Sequence, residues 1–219
     1  MKLKADLHVH SSYSKDSFLK PDKIVEVCLQ KAINCLAICD HNEIKGAFEI
    51  KRLAPFKIII AEEIKTNEGE IIGYFLNKKI QPNLSPEETI KQIKKQGGLV
   101  ALPHPFDNLR RSIIKRDALN RIIKEVDMIE VFNAGNVFKK SDEKAMELCK
   151  SLNKAPYSGS DAHSTQALGY GIFEIEDFDS PQEFLKNLKE AKFYNKKSPI
   201  WTHFIIIFCK FLKLFKRNH

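Results

Sequence analysis

Short apolar runs recur along this chain, and each stops at a histidine or a carboxylate. Residues 2–9 alternate as a strand does and lead into Asp6-Leu7-His8-Val9-His10. Cys35-Leu36-Ala37-Ile38-Cys39 ends in Asp40-His41-Asn42, the run 57–61 in Glu62-Glu63, and the run 99–102 in Pro103-His104-Pro105. A run over 128–132 contains Glu130 and is followed by Asn133, and a last one leads into Ser158-Gly159-Ser160-Asp161-Ala162-His163. Helical stretches separate these runs. Pro21 takes a first helical position ahead of the stripe Ile24, Val25, Cys28, Leu29 and Ala32, and a second helix reaches about Leu53, before Pro55. Ser85-Pro86-Glu87-Glu88 and Ser180-Pro181-Gln182-Glu183 read as capping boxes. Further helices are expected at about 117–125 and from a Ser141 cap to about Leu152, and a β-extension over 70–76 after a turn at 67–69. Strand–helix alternation predicts a parallel sheet with helical crossovers. With no repeat and no linker, residues 1–198 form one domain and residues 199–219 a C-terminal helical extension.

The ends of parallel strands lie on one face, where βα-barrels build their sites. His8 and His10, one residue apart, share a side of their strand. His8, His10, His41, Glu63, His104, Glu130 or Asn133, Asp161 and His163 are therefore candidate metal ligands, and Glu62 is a rival to Glu63. Nitrogen and carboxylate donors without cysteine suit Mn²⁺, Zn²⁺ or Fe²⁺ better than Ca²⁺. The set exceeds what one tetrahedral ion takes, so two or three divalent ions are expected, with Glu63 the natural bridge. Asp6 and Asp40 either orient the histidines beside them or hydrogen-bond at strand ends. Arg110 and Arg111 follow His104 in a loop, where a guanidinium can clamp a phosphate; the alternative is two exposed arginines before a helix. Asp40, His41, Arg110 and Arg111 are the candidate catalytic residues. Tyr13, Phe106 and Phe132 can stack on a base or pack in the core.

A chain of 219 residues with 43% hydrophobic and 29% charged residues has the make-up of an ordinary globular domain. Its net charge of +8 favours anionic partners without choosing among them. The five cysteines (Cys28, Cys35, Cys39, Cys149, Cys209) show no CxxC spacing. Reduced, buried thiols and a cytoplasmic location follow, with no signal peptide and no apolar run of the roughly 20 residues that span a bilayer. Trp201, Phe204, Ile205, Phe208, Phe211, Leu212 and Phe215 recur at helical spacing beside Lys210, Lys213 and Arg217. Residues 200–217 are thus expected either to pack on the barrel or a second subunit, or to lie on an anionic membrane surface.

The ordered motifs DLHVHSSYSKDS, ICDHNEIKGA, AEEI, ALPHPFD, IEVFNA and SGSDAH, over about residues 3–170, resemble the polymerase and histidinol phosphatase (PHP) superfamily. The resemblance implies a distorted seven-stranded βα-barrel with a trinuclear site. On that pattern His8, His10, Glu63 and Asp161 look like ligands of one ion, Glu63 with His104 of a second, and Asp16, His41 and His163 of the third. A fifth-strand ligand is Glu130 or Asn133. Where relatives often carry His-x-x-Gly-Tyr, this chain has Glu70-Ile71-Ile72-Gly73-Tyr74. The expected activity is attack of metal-bound hydroxide on a small phosphomonoester or nucleotide. Alternatives are a 5′-to-3′ exonuclease on short RNA or DNA, a histidinol phosphatase, and a non-catalytic metal-binding regulatory module.

Overall fold

From the N-terminus the elements are β1 (Lys2–Val9), α1 (Pro21–Gln30), β2 (Cys35–Ile38), α2 (Lys45–Leu53), β3 (Lys57–Thr66), β4 (Gly69–Tyr74) and α3 (Pro86–Lys95). There follow β5 (Leu99–Leu102), α4 (Arg116–Ile122), β6 (Met128–Asn133), α5 (Lys139–Ser151), β7 (Ala155–Gly159), β8 (Gly171–Glu176), α6 (Pro181–Leu188) and β9 (Lys192–Asn195). The computed structural model describes residues 1–199. The extension expected over 199–219, and with it the docking role of residues 200–217, lies outside the described residues apart from Pro199. No helix of the described residues is long and apolar enough to cross a membrane.

The strands form one sheet in the order β7-β6-β5-β4-β3-β2-β1-β8-β9. It curls until the segment after β7 returns to β1, where Val9 bridges Ala162 and the His10 N–H donates to the Ala162 carbonyl at 2.9 Å. The result is a nearly closed barrel. Alternation decides what faces inward. Leu7, Ala37, Ile59, Ala61, Ile72, Tyr74, Ala101, Met128 and Tyr157 belong to one buried cluster in the interior. Their neighbours Leu36, Ile38, Ile60, Ile64, Ile71, Val100 and Ile129 pack outward against Ile24 and Cys28 of α1, Ile50 of α2, Ile90 and Ile93 of α3 and Ala145 of α5. The four described cysteines are free and buried, and burial pushes the Cys28 and Cys35 thiols up to about 12.

Four expectations are corrected. The described sheet has nine strands rather than seven, because β8 pairs antiparallel with the first half of β1 and β9 pairs with β8. Nor is it wholly parallel: β4 runs antiparallel to both β3 and β5. β3 continues to Thr66 instead of stopping at Ala61, pairing parallel with β2 over Lys57–Ile60 and then antiparallel with β4. The hairpin turns at Gly69, whose φ of +129° suits glycine and where a Cβ would sit 2.4 Å from Ile114 Cα. Ser85 and Ser180 do cap α3 and α6, accepting from the Glu88 and Glu183 amides at 3.2 and 3.1 Å. Ser141 does not cap α5. That helix starts three residues earlier, after Phe138, while Asp142 in its first turn accepts from Asn136 Nδ2 at 2.7 Å and pairs with Lys197.

Candidate metal centre

All five histidines among the described residues converge at the end of the barrel where β1, β2, β5, β6 and β7 finish. Ring centroids of His10 and His163 lie 4.2 Å apart, of His10 and His41 4.5 Å, and of His8 and His10 5.1 Å. At the centre, His8 Nε2 lies 3.1 Å from His10 Nε2. Asp161 Oδ1 is 3.6 and 3.2 Å from these two nitrogens, and Glu63 Oε2 is 3.6 and 3.4 Å from them. A tetrahedral ion with bonds of about 2.0–2.1 Å needs ligand atoms about 3.3–3.4 Å apart. These four atoms therefore fit a divalent transition metal.

Around this cage the other donors pair up. Glu63 turns its second oxygen, Oε1, to His104 Nε2 at 3.1 Å. Asp16 lies between His41 and His163, 3.4 Å from Nε2 of each. Asp161 Oδ1, His104 Nδ1 and His163 Nε2 are buried and make no hydrogen bond. Such atoms are costly inside a protein unless an ion or water completes them. Two of the cluster's residues, His104 and Asp161, have positive φ, +30° and +51°.

Alternation sends Glu62 and Glu63 to opposite sides of β3. Glu63 shares the interior side with Ala61, whereas Glu62 points outward, where its carboxylate accepts from the Ile80 amide at 2.8 Å. Glu130 and Asn133 both reach the cluster. Glu130 Oε1 meets His8 Nδ1 at 3.0 Å and Oε2 accepts from the His104 N–H at 2.7 Å. Asn133 Nδ2 donates to Glu130 at 3.0 Å and to Asp161 at 3.4 Å. Gly159 makes room for this arrangement, since a Cβ there would stand 2.3 Å from His8 Cβ and 2.8 Å from Glu130 Oε1.

Of the two arginines, Arg110 belongs to the site: its Nε donates to Asp107 at 2.9 Å and an Nη lies 2.6 Å from Asp161 Oδ2. Arg111 is exposed. Asp40 stands behind the cluster and holds the loop after β1, accepting from the Ser11 amide at 2.7 Å and from Ser14 Oγ at 2.7 Å. Ser14 Oγ lies in turn 3.2 Å from His10 Nδ1. Asp6 ties β1 to the β7 end through the Ser160 and Gly169 amides at 2.9 and 3.0 Å. Phe106 packs against the outer core, Phe132 lies beneath Lys197, and Tyr13 is exposed with its hydroxyl on Glu49.

One buried carboxylate at the cluster falls outside the strand-end pattern. Glu70 Oε1 lies 3.8 Å from His41 Nδ1, which is itself 3.1 Å from Glu63 Oε2. The signal was its phase: Glu70 alternates with Ile72 and Tyr74, so a charged residue occupies an interior position of β4.

The charges are interlocked. Burial alone would raise Asp161 and Glu63, yet Arg110 and the histidines hold Asp161 well below the usual carboxylate range, and His41, His8 and His104 do the same for Glu63. Burial opposes the charged form of His41, but Glu63 and Asp16 push it up to about 10. His10 is driven down to about 3 by burial and by His163 and His41 beside it. Glu70 is raised, first by burial and then by Glu63.

The chain is similar to several known proteins. A family model described as PHP-associated matches residues 140–193. Two uncharacterized proteins of Methanocaldococcus jannaschii are similar: MJ1587, 43% identical over 146 residues, covering 60% of this chain and 82% of that protein, and MJ0417, 38% identical over 198 residues, covering 85% and 79%. A 5′-3′ exoribonuclease of Haemophilus influenzae is 39% identical over 85 residues, 36% of this chain and 31% of that enzyme. In fold, the chain matches a two-domain protein of Bacteroides vulgatus containing a predicted PHP-like metal-dependent phosphoesterase, with a TM-score of 0.73 and 18% identity. That match covers 89% of this chain, which spans 65% of the Bacteroides protein.

Proposed function

Because the chain belongs to the polymerase and histidinol phosphatase (PHP) superfamily, we propose that it is a hydrolase that cleaves a phosphate ester at a site for two or three divalent ions. The observation that carries this reading is the cage of His8, His10, Glu63 and Asp161, whose measured edges of 3.1–3.6 Å match one transition-metal ion. Mn²⁺, Zn²⁺ or Fe²⁺ bound there would lower the pKa of a water and offset charge on a phosphoryl group.

The side chains divide the remaining work. Glu63 offers one oxygen to the cage and the other to His104, so it would bridge two ions; Asp16, His41 and His163 would hold a third. Glu130 accepts from His8 Nδ1–H, which leaves the Nε2 lone pair facing the cage. Arg110, held by Asp107 and Asp161, keeps further N–H groups to receive a phosphate oxygen.

The substrate in this reading is a small phosphomonoester or nucleotide, in the cytoplasm. The similarity to the Haemophilus exoribonuclease supports a second reading, 5′-to-3′ trimming of short RNA. The test is metal content of the purified protein paired with hydrolysis of mononucleotides, dinucleotides and histidinol phosphate, wild type against Asp161→Ala. Two or three equivalents of metal and turnover lost in the variant are expected. Dinucleotide cleavage without monophosphate hydrolysis would select the nuclease reading. Metal without turnover would leave a metal-binding regulatory module, and absence of metal after reconstitution with all three ions would overturn the proposal.

A further inference from the structure

We propose that Lys197 positions the metal centre from outside it, holding the loop after β6 so that the Asn133 amide stays bonded to Glu130 and Asp161. The inference rests on the metal-dependent reading above and adds to it. Asn133 is the hub. Its Nδ2 donates to Glu130 Oε2 at 3.0 Å and to Asp161 Oδ2 at 3.4 Å. Its Oδ1 accepts from the Gly135 N–H at 2.8 Å, which fixes the direction of the amide. Each carboxylate thereby presents its other oxygen inward, Glu130 Oε1 to His8 Nδ1 and Asp161 Oδ1 to the cage.

Lys197 grips Asn133 from behind. Its ammonium donates to the Asn133 carbonyl at 3.0 Å and to Asp142 Oδ2, and it lies 4.6 Å from the centroid of the Phe132 ring. Asp142 Oδ1 accepts in turn from the Asn133 N–H at 3.4 Å and from Asn136 Nδ2 at 2.7 Å. Asp142 is buried and Lys197 is its cationic partner, so loss of the ammonium leaves a carboxylate unpaired directly behind this loop. The backbone holds the lysine in place from both sides. The Lys196 N–H donates to the Tyr170 carbonyl at 2.9 Å, and the Ser198 N–H to the Ala134 carbonyl at 3.0 Å. No local pattern in the sequence marks the contact, because 55 residues separate Lys197 from Asp142.

A matched contact stands at the opposite end of the barrel. Lys57, the first residue of β3, donates to Asp177 and to the Phe178 carbonyl and lies 4.2 Å from the centroid of the Phe178 ring. The two lysine side chains are also similarly exposed, 28% for Lys57 and 34% for Lys197. The experiment is thermal unfolding and calorimetric titration, with Mn²⁺ and separately with Zn²⁺, of metal-stripped wild type, Lys197→Met, Lys197→Arg and Lys57→Met. Both methionine variants should unfold at a lower temperature, but only Lys197→Met should bind metal about tenfold more weakly. Lys197→Arg should recover most of that affinity. If Lys197→Met does not fold, Asp142→Asn, which discharges the other end of the same pair, decides by the same titration. Unchanged affinity in the variant that decides, or an equal loss in Lys57→Met, would overturn the assignment while leaving the metal-dependent reading intact. Wild type that binds neither ion would overturn both.

Discussion

Glu62 and Glu63 are adjacent, chemically identical and both buried, so exchanging each for glutamine isolates the effect of direction. Glu63 lies within 3.6 Å of His8, His10, His41 and His104, whereas Glu62 faces the outer layer. An ion that binds only the folded state stabilises it by RT ln(1 + [M]/Kd), about 2.7 kcal/mol at a hundredfold excess over Kd. For a chain of this size that is a rise in Tm of roughly 5–10 °C. If Glu63→Gln weakens binding about a hundredfold, the same Mn²⁺ concentration yields about 0.4 kcal/mol, a shift of roughly 1 °C. Glu62→Gln should keep the full shift. The assay is thermal unfolding of each variant with and without Mn²⁺, reading the metal-dependent difference so that changes in baseline stability cancel. A full shift in Glu63→Gln, or its loss in Glu62→Gln, would refute the assignment of the interior side.

Glu62 also carries a pH prediction. Burial pushes it from an ordinary 4.5 up to about 7, so the folded state keeps this proton where the unfolded chain has lost it. That contribution is complete below about pH 4.5 and fades as pH rises through 7. Metal-free Glu62→Gln should therefore gain about 3 kcal/mol over wild type at pH 8 and almost nothing at pH 4, measured by denaturant unfolding; a gain independent of pH would refute it. Arg110→Ala should lower kcat/KM on a phosphate ester by roughly a hundredfold, about 3 kcal/mol, while Arg111→Ala changes it less than twofold; equal losses would remove Arg110 from the site. Gly159→Ala should abolish Mn²⁺ binding in calorimetry, because the new methyl would overlap His8 and crowd Glu130; intact binding would show that β1 can yield. A chain ending at Ser198 that stays soluble and active but no longer sediments with anionic vesicles would assign residues 200–217 to a membrane surface, and insolubility would assign them to packing.

Much of the fold was legible because it rests on local chemistry. The capping serines at 85 and 180, the prolines opening three helices and the β-branched runs each act over a few residues. The residues of the cluster were legible for a related reason: histidines and acids at the ends of neighbouring parallel strands are brought to one face. What was not legible depends on partners far along the chain. The extra length of β3 comes from exchanging β2 for β4 as its neighbour, and β9 is a short, largely exposed strand held by pairing with β8. Glu70 was missed as a member of the cluster because it belongs to the inner layer only once that hairpin forms.

The choice between Glu130 and Asn133 had no answer in the sequence because it was posed for a regular strand. Residues three apart on such a strand face opposite sides, so only one could reach the cluster. β6 shifts register between Glu130 and Phe132, and the extra residue turns Asn133 back to the side that Glu130 occupies. β1 does the same between Asp6 and Val9. Without that shift His8, next to inward-facing Leu7, would be directed into the helical layer. The two bulges change the barrel's lining from apolar packing to donor atoms within a few residues, and register, unlike composition, exists only between strands.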